Sequence, residues 1–274
     1  MGKLDHKVAV ITGSTRGIGK AIAHEFVRQG AKVVITSSSA ANVQKAVAEF
    51  PPETAYGCLC DVVSTVDMER LIDSSVERFG RIDCFINNAG ISDPFHNITE
   101  SDPDVWGKVI DTNLKGTYNG CRAAISYFLR ENIPGKIINM AGSGTDSGSN
   151  TPWMSAYGST KAAIARFTSA VAHEYRHTGI AVMLLHPGLV RTGMVSTKNP
   201  TPELSRQLAT FSTVLDIFAQ PPSVAAKLAV QLASDWSDSK TGIYRSALNG
   251  RKKKWLLLTY PFRKIAKRID RRTY

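Results

Sequence analysis

Two residues capable of acid–base chemistry, Tyr157 and Lys161, stand four positions apart in the sequence. In an α-helix this spacing places both side chains on one face, one turn apart. A phenol titrates at about pH 10, so at neutral pH it is a poor proton donor or acceptor. A neighbouring ammonium group favours the phenolate and should lower the pKa of the tyrosine, as acid–base catalysis near neutral pH requires. The pair is therefore suited to acid–base catalysis, but the same spacing occurs in many helices and is a weak signal when taken alone.

A glycine-rich turn near the N-terminus has the composition of a phosphate-binding loop. Gly13, Gly17 and Gly19 follow the β-branched run Lys7–Ile11 and precede a helical pattern that continues to Gln29. Glycine lets the backbone approach a pyrophosphate closely, and a helix N-terminus offers amide hydrogens and the positive end of the helix dipole. The turn predicts a dinucleotide site. The alternative is a tight strand-to-helix turn without a ligand.

Strand-like and helix-like segments alternate along the chain and must position these residues. The further predicted strands are Ala31–Thr36, Tyr56–Cys60, Ile82–Asn87, Lys136–Ala141 and Ile180–Leu185. The helical stretches between them are one that ends at Phe50, then Val66–Phe79, Val105–Arg130 and Ser155–His177. This alternation predicts βαβ units and a parallel sheet buried on both faces. We therefore predict an α/β fold: a single Rossmann-type doubly wound parallel β-sheet flanked by helices on both faces.

These motifs, with Asn87-Asn88-Ala89-Gly90, resemble the short-chain dehydrogenase/reductase family from about Lys7 to Leu248. The loop before Tyr157, including Asn150–Gly158, is similar to the chlorophyll b reductase branch of that family, a local likeness that does not establish the substrate. The resemblance implies an oxidoreductase that transfers a hydride between a nicotinamide cofactor and a carbonyl/hydroxyl carbon of its substrate.

The resemblance also assigns catalytic roles. Tyr157 becomes the acid–base residue, and Lys161 both lowers its pKa and hydrogen-bonds the nicotinamide ribose. Asn113 matches an asparagine that holds a water in a proton relay. The alternative for Asn113 is an amide that kinks its own helix.

The substrate-binding serine of the family falls on or beside Gly142 in this chain. Ser143 is the nearest hydroxyl, and we expect it to orient the substrate oxygen. Ser147 and Ser149 lie further along the same loop, where an insertion would explain the shift.

The resemblance implies a cofactor site at the ends of several strands. Its residues are Gly13, Ser14, Thr15, Arg16, Gly17, Ile18, Gly19, Ser37, Ser38, Asp61, Val62, Asn88, Ala89, Gly90, Tyr157, Lys161, Pro187, Gly188 and Thr192. Asp61 with Val62 would contact the adenine, and Pro187, Gly188 and Thr192 would lie near the carboxamide. Asn87 and Asn88 could equally be structural amides.

The end of the second strand distinguishes the two nicotinamide cofactors. An acidic residue there binds the ribose 2′-hydroxyl of NAD, whereas a nearby arginine accommodates the 2′-phosphate of NADP. This chain has Ser37 and Ser38 at that point and Arg16 in the glycine turn. We therefore predict NADP(H).

A lid over about 192–220 follows the sixth strand. Thr201-Pro202 is a favourable helix start, and Leu204, Leu208, Phe211, Leu215 and Phe218 then repeat at helical spacing. Such a stripe most often packs onto the core. By the family resemblance the segment covers the substrate, so the apolar stripe also implies a hydrophobic substrate.

The positive charge of the chain is concentrated at its end. Of a net charge of +11, residues 249–274 contribute ten basic residues and one acidic residue, a net +9. We divide the chain into an oxidoreductase domain, 1–250, and a basic amphipathic tail, 251–274. Basic residues beside Trp255, Leu256–Leu258 and Phe262 suit an anionic membrane surface. The alternatives are packing on the same subunit or a dimer mate, and nucleic-acid binding, which nothing else in the chain supports.

Several function classes are disfavoured by composition and spacing. His173–His177 fits the zinc-hydrolase pattern His-Glu-x-x-His but has no third-ligand signature downstream, so we expect no metal. A dinucleotide-binding regulator without catalysis is disfavoured because Tyr157, Lys161 and Asn113 are all present. Four cysteines without Cys-x-x-Cys spacing indicate free thiols in a reducing compartment, and the sequence shows no apolar signal or spanning segment, so we expect a cytoplasmic protein. Its basic tail would hold it peripherally at a membrane surface. We expect a homodimer, since the sequence near the last strand departs from the family segment that often builds a tetramer.

Overall fold

The computed structural model describes residues 2–146, 150–191 and 202–266. Within these ranges seven parallel strands form one sheet in the order β3-β2-β1-β4-β5-β6-β7. They are β1 (Val8–Ile11), β2 (Lys32–Ser37), β3 (Ala55–Leu59), β4 (Cys84–Asn87), β5 (Gly135–Met140), β6 (Ile180–His186) and β7 (Tyr244–Ser246). The order reverses between β1 and β4, and ligands of such sheets bind at the carboxyl ends beside that reversal. The predicted fold class is confirmed.

The α-helices of the described residues connect and cover these strands. They are α1 (Gly17–Arg28), α2 (Ala40–Val47), α3 (Thr65–Phe79), α4 (Pro103–Ile110), α5 (Gly116–Arg130), α6 (Ser155–Glu174), α7 (Pro202–Phe218), α8 (Pro222–Ala233) and α9 (Gly250–Ile265). One predicted helix, Val105–Arg130, is instead α4 and α5 joined by a π-helical turn, Asp111–Lys115. Another, predicted to reach His177, ends at Glu174.

Apolar side chains cover the sheet on both faces, as the continuous hydrophobic strands predict. On one face Ile22 and Phe26 of α1 share a buried cluster with residues of α8. On the other face Leu71 of α3 and Phe128 of α5 pack with Phe85 of β4. The result is a three-layer sandwich, and ligands of such sheets bind at the carboxyl ends of the strands.

The cysteines are all inside these layers. Cys58, Cys60, Cys84 and Cys121, the four in the sequence, are buried free thiols. Burial raises the pKa of Cys60, Cys84 and Cys121 to about 12, because the thiolate would lose its hydration.

The helix α9 begins the predicted tail and has two different faces. Its inner face packs on α7: Leu256 is 5% exposed, and Arg263 donates to the Ile217 carbonyl of α7 at 2.8 Å. Its outer face leaves Leu258 and Phe262 each 74% exposed. Packing of the tail on its own subunit therefore accounts for one side of α9 only. No helix in the described ranges is long and apolar enough to cross a bilayer.

Candidate active site

The glycine turn after β1 is held in place by the segment after β4. Thr12 Oγ1 accepts hydrogen bonds from the backbone amides of Asn88 and Ala89, both at 3.0 Å. The Asn88 side chain donates to the carbonyls of Thr12 and Gly13 at 2.9 and 3.0 Å. Asn88 is thus a structural amide that shapes the turn. Gly13, at φ +61°, packs so closely on Ala89 that an added Cβ would lie 2.8 Å from its Cα.

The first turn of α1 is left without a side-chain cap among the described residues. Its N-cap residue is Arg16, and the first turn holds no acidic residue. By contrast, α2, α3 and α4 are capped by the side chains of Ser39, Ser64 and Asp102. A cap uses up amide hydrogens that would otherwise bind an external anion. The α1 terminus therefore fits the pyrophosphate of a dinucleotide.

The residues predicted to contact the ribose and the adenine lie at the ends of β2 and β3. Ser37 Oγ accepts from the Ser39 amide at 3.2 Å, while Ser38 is exposed on the surface. The Asp61 carboxylate accepts from the Val63 amide at 3.1 Å, which fixes the turn after β3. Val62 is buried against Gly116, where an added Cβ would lie 2.6 Å from Val62 Cγ2. The Ser14 amide donates to the Thr36 carbonyl at 3.0 Å, so the end of β2 lies beside the glycine turn.

Tyr157 and Lys161 lie on α6 and face the end of β5. Lys161 Nζ donates to the Met140 carbonyl at 3.0 Å and lies 5.5 Å from the centroid of the Tyr157 ring. The one-turn spacing thus brings the two side chains together as predicted. The Tyr157 amide donates to Asp93 Oδ1 at 3.4 Å, so a buried carboxylate from the loop after β4 supports the first turn of α6.

The expected lowering of the Tyr157 pKa is not found. Burial raises the pKa of Tyr157 to about 12 and lowers the pKa of Lys161 to about 8. Both shifts have one cause, because transfer out of water disfavours the phenolate and the ammonium alike. Attraction between the two charges alone would lower the pKa of Tyr157, but the loss of hydration on burial outweighs it.

The loop after β5 brings its backbone against the tyrosine hydroxyl. A Cβ added to Gly142 would clash with the Tyr157 hydroxyl oxygen and lie 3.0 Å from Lys161 Cγ. Thr145 folds back onto this glycine, its Oγ1 accepting from the Gly142 amide at 3.0 Å. Ser143 stands between them in the turn and is partly buried. Ser147 and Ser149 lie outside the described residues.

Asn113 occupies the middle of the π-helical turn and is fully buried. Its side chain accepts from the Ile91 amide at 2.8 Å and donates to the Ile91 carbonyl at 2.9 Å. It also donates to Thr160 Oγ1 on α6 at 3.1 Å. The amide thus joins the loop after β4, the widened helix and the helix of Tyr157.

An apolar cluster, here called the lid cluster, lies beside Tyr157. Phe95, Met154 and Leu204 are buried in it, with Trp153, Leu208 and Phe211 packed against them. The rings of Phe95 and Phe211 lie 5.5 Å apart between centroids. Part of the predicted apolar stripe of α7 therefore faces the catalytic helix. Arg191 pairs with Asp216, which ties α7 to the segment after β6.

The segment after β6 carries the residues that are predicted to lie near the nicotinamide carboxamide. Gly188, at φ +77°, packs against Ala247 and Leu248, and its amide donates to His186 Nδ1 at 3.0 Å. Thr192 lies outside the described residues. No motif in the sequence marks His186, Asp93 or Thr145. The contact of Asp93 with Tyr157 spans 64 positions, and those of His186 and Thr145 with nearby glycines depend on how the two loops fold.

The zinc-hydrolase pattern is not assembled in the structure. His173 and Glu174 end α6, whereas His177 follows in a turn. Among the described residues no group of three or more His, Cys, Asp or Glu side chains could hold a metal ion.

The chain resembles known proteins over most of its length. The family model described as short chain dehydrogenase matches residues 7–203. The chain is 34% identical to the probable chlorophyll(ide) b reductase NYC1, chloroplastic, of Arabidopsis thaliana, over 68% of this chain and 41% of that protein. It is also 34% identical to the chlorophyll(ide) b reductase NOL, chloroplastic, of Oryza sativa subsp. japonica, over 79% of this chain and 63% of that protein. The match thus spans less than two thirds of each relative.

A solved structure has the same fold. The crystal structure of a short chain dehydrogenase from Mycobacterium smegmatis superimposes with a TM-score of 0.76 at 25% identity. The superposition covers 92% of this chain and 95% of the other.

Proposed function

Because the chain belongs to the short-chain dehydrogenase family, whose members are nicotinamide-dependent oxidoreductases, we propose that it is an NADP(H)-dependent enzyme. It transfers a hydride between nicotinamide and a carbonyl/hydroxyl carbon of a hydrophobic substrate. The observation that carries this proposal is the position of the Tyr157 hydroxyl, between Gly142 of the β5 loop and the apolar lid cluster.

In this proposal each site residue has a separate role in cofactor binding or proton transfer. The glycine turn and the uncapped α1 terminus hold the pyrophosphate, and the bound nicotinamide supplies or accepts the hydride. Tyr157 gives its proton to the substrate oxygen in carbonyl reduction and takes one in alcohol oxidation. Lys161 holds the ribose and stabilises the phenolate, and Ser143 orients the substrate oxygen. Asn113 anchors the proton relay.

The choice of NADP(H) follows from the end of β2. Ser37 and Ser38 provide hydroxyls where NAD-binding chains place a carboxylate, and Arg16 is exposed at the neighbouring N-cap of α1. A guanidinium group pairs strongly with a phosphate, whereas an acidic residue would repel it.

The proposal is tested with Tyr157→Phe, which keeps the ring and removes the exchangeable proton. A panel of apolar carbonyls and alcohols, followed by NADPH absorbance, first identifies a substrate. The variant should then lose turnover by about 10²-fold or more, while its affinity for NADPH stays within about twofold. A variant with near wild-type kcat would refute the assignment. NADPH binding without turnover of any substrate by the wild type would instead support a dinucleotide-binding regulator.

The outer face of α9 suits an anionic membrane surface, where a hydrophobic substrate would dissolve. Its exposed apolar side chains are Trp255, Leu257, Leu258, Phe262 and Ile265. Arg251, Lys253, Lys254 and Lys264 are exposed around them. Each basic residue near an anionic leaflet contributes about 1 kcal/mol, so several together can hold the protein reversibly. We place the protein in the cytoplasm, peripheral at such a surface.

Sedimentation with anionic vesicles tests the membrane proposal. The full chain should sediment, and a chain ending at Gly250 should stay in the supernatant. Salt should weaken the electrostatic part of the binding, leaving partial binding through the apolar residues. If the full chain also stays in solution, α9 serves the fold alone.

The proposed assembly is a homodimer. Val105 on α4 and Tyr118 and Leu129 on α5 are apolar side chains exposed on the surface, where a second copy could cover them. Light scattering after gel filtration should give twice the monomer mass of 29.8 kDa. A monomer or a tetramer would contradict this assignment.

A further inference from the structure

His186 ends β6 and makes a hydrogen bond that only one form of its ring allows. The Gly188 amide donates to His186 Nδ1 at 3.0 Å. An imidazole nitrogen accepts a hydrogen bond only when it carries no proton. The contact therefore requires the neutral ring with its proton on Nε2, and protonation of Nδ1 would break it.

The same ring contacts the other loop of the active site. The imidazole lies near the backbone of Gly142, the residue that lies against the Tyr157 hydroxyl. The neighbouring strands explain this arrangement, since the Ala141 amide donates to the Leu185 carbonyl at 2.8 Å just before the two loops diverge. His186 thus stands between the Pro187–Gly188 turn and the loop under the catalytic tyrosine.

The surroundings of His186 decide when it carries a charge. Burial lowers the pKa of His186, and the positive charges of Lys253 and Lys161 lower it further. The negative charge of Asp146 and the backbone of Gly142 oppose this shift. The ring is therefore neutral at pH 7 and becomes protonated only at acidic pH, below its ordinary value of about 6.5.

We propose that His186 is a positioning residue for the cofactor, which in its neutral form holds the Pro187–Gly188 turn in place beside Gly142. This inference rests on the proposed function, in which that turn receives the nicotinamide carboxamide. Protonation releases the Gly188 amide, so cofactor binding should weaken as the pH falls through the pKa of His186.

Two substitutions distinguish the effect of the hydrogen bond that His186 accepts from the effect of its charge. In His186→Asn the side-chain oxygen can still accept from the amide two residues later, and it does not titrate. In His186→Ala the acceptor is lost. His177→Asn, at an exposed position outside the site, is the matched control.

The experiment measures the dissociation constant of NADPH by fluorescence between about pH 5 and pH 8 at constant ionic strength. We expect wild type and His177→Asn to bind several-fold more weakly at the acidic end. His186→Asn should bind like wild type at neutral pH and lose much of that dependence. His186→Ala should bind about five- to tenfold more weakly throughout, as expected for one lost hydrogen bond.

A pH profile shared by wild type and His186→Asn would overturn the inference. The failure of wild type to bind NADPH or NADH at pH 7 would overturn the proposed function itself. NMR titration of the His186 ring in the wild-type protein decides the matter even if a variant does not fold. Because the cofactor binds the neutral form, NADPH should lower the pKa of His186, and an unchanged or raised pKa would contradict the proposal.

Discussion

At the scale of single residues, the tyrosine hydroxyl lies against a backbone position that has no room for a side chain. Gly142 stands where the family resemblance places a serine, and a Cβ there would clash with Tyr157. We therefore expect the hydroxyl that orients a substrate to come from the turn beyond it. Ser143 stays our prediction, and Thr145, folded onto Gly142, is the neighbouring hydroxyl that any test should include.

The pKa values of Tyr157 and Lys161 predict opposite pH dependences for the two reaction directions. Carbonyl reduction needs a protonated Tyr157, which persists up to about pH 12, and a charged Lys161, which is lost as the pH rises through about 8. Reduction should therefore be fastest below about pH 8 and decline above it. Alcohol oxidation needs the phenolate and should rise with pH. Steady-state rates in both directions check this, and equal profiles would contradict it.

Arg16 should determine the preference for the phosphorylated cofactor. Arg16→Ala removes the guanidinium that we assign to the 2′-phosphate, so NADPH should bind about tenfold more weakly or worse, while NADH is little affected. Lys45→Ala, which removes an exposed cation from α2, is the control for net charge. Fluorescence titration with both cofactors gives the ratio. Equal losses for NADPH and NADH would show that Arg16 makes no phosphate contact.

At the scale of elements, the π-helical turn joins three parts of the site through Asn113. We expect Asn113→Ala to lower the free energy of unfolding by about 1–3 kcal/mol, because the partly buried amide and carbonyl of Ile91 would lose their partner. Asn42→Ala, at an exposed position of α2, should change it by less than about 0.5 kcal/mol. Urea denaturation measures both. A similarly small change in the free energy of unfolding for Asn113→Ala would show that the π-helical turn does not depend on the Asn113 side chain.

The sequence predicted most of these elements and few of the contacts between them. Hydrophobic periodicity located the strands because each is apolar over several residues, but it placed the start of β4 at Ile82. The Ile82 amide instead donates to the Tyr127 hydroxyl, so the ladder begins at Cys84. A π-helical turn has no periodicity of its own, so the sequence pattern predicts one continuous helix over Val105–Arg130. The bond between Asn88 and Thr12 spans 76 positions, which no local pattern reveals.

At the scale of the whole molecule, α9 presents leucines on two faces. Leu256 on the inner face is buried in the fold, whereas Leu258 on the outer face is exposed. Leu256→Ala should lower the free energy of unfolding by about 2–3 kcal/mol, because Leu256 is buried against α7. Leu258→Ala removes the same atoms from a side chain that is 74% exposed, so stability should hardly change. Binding to anionic vesicles should respond in the opposite order. If Leu258→Ala leaves vesicle binding unchanged, the outer face does not contact lipid.

The buried cysteines make the molecule easy to label at a chosen point. Thiol reagents attack the thiolate, and burial both shields the native sulfurs and raises the pKa of Cys60, Cys84 and Cys121 to about 12. A new cysteine at an exposed site, such as Leu258→Cys, would therefore react far faster than the native ones. A spin label or fluorophore attached there would report how deeply α9 enters a bilayer, with every native cysteine left in place.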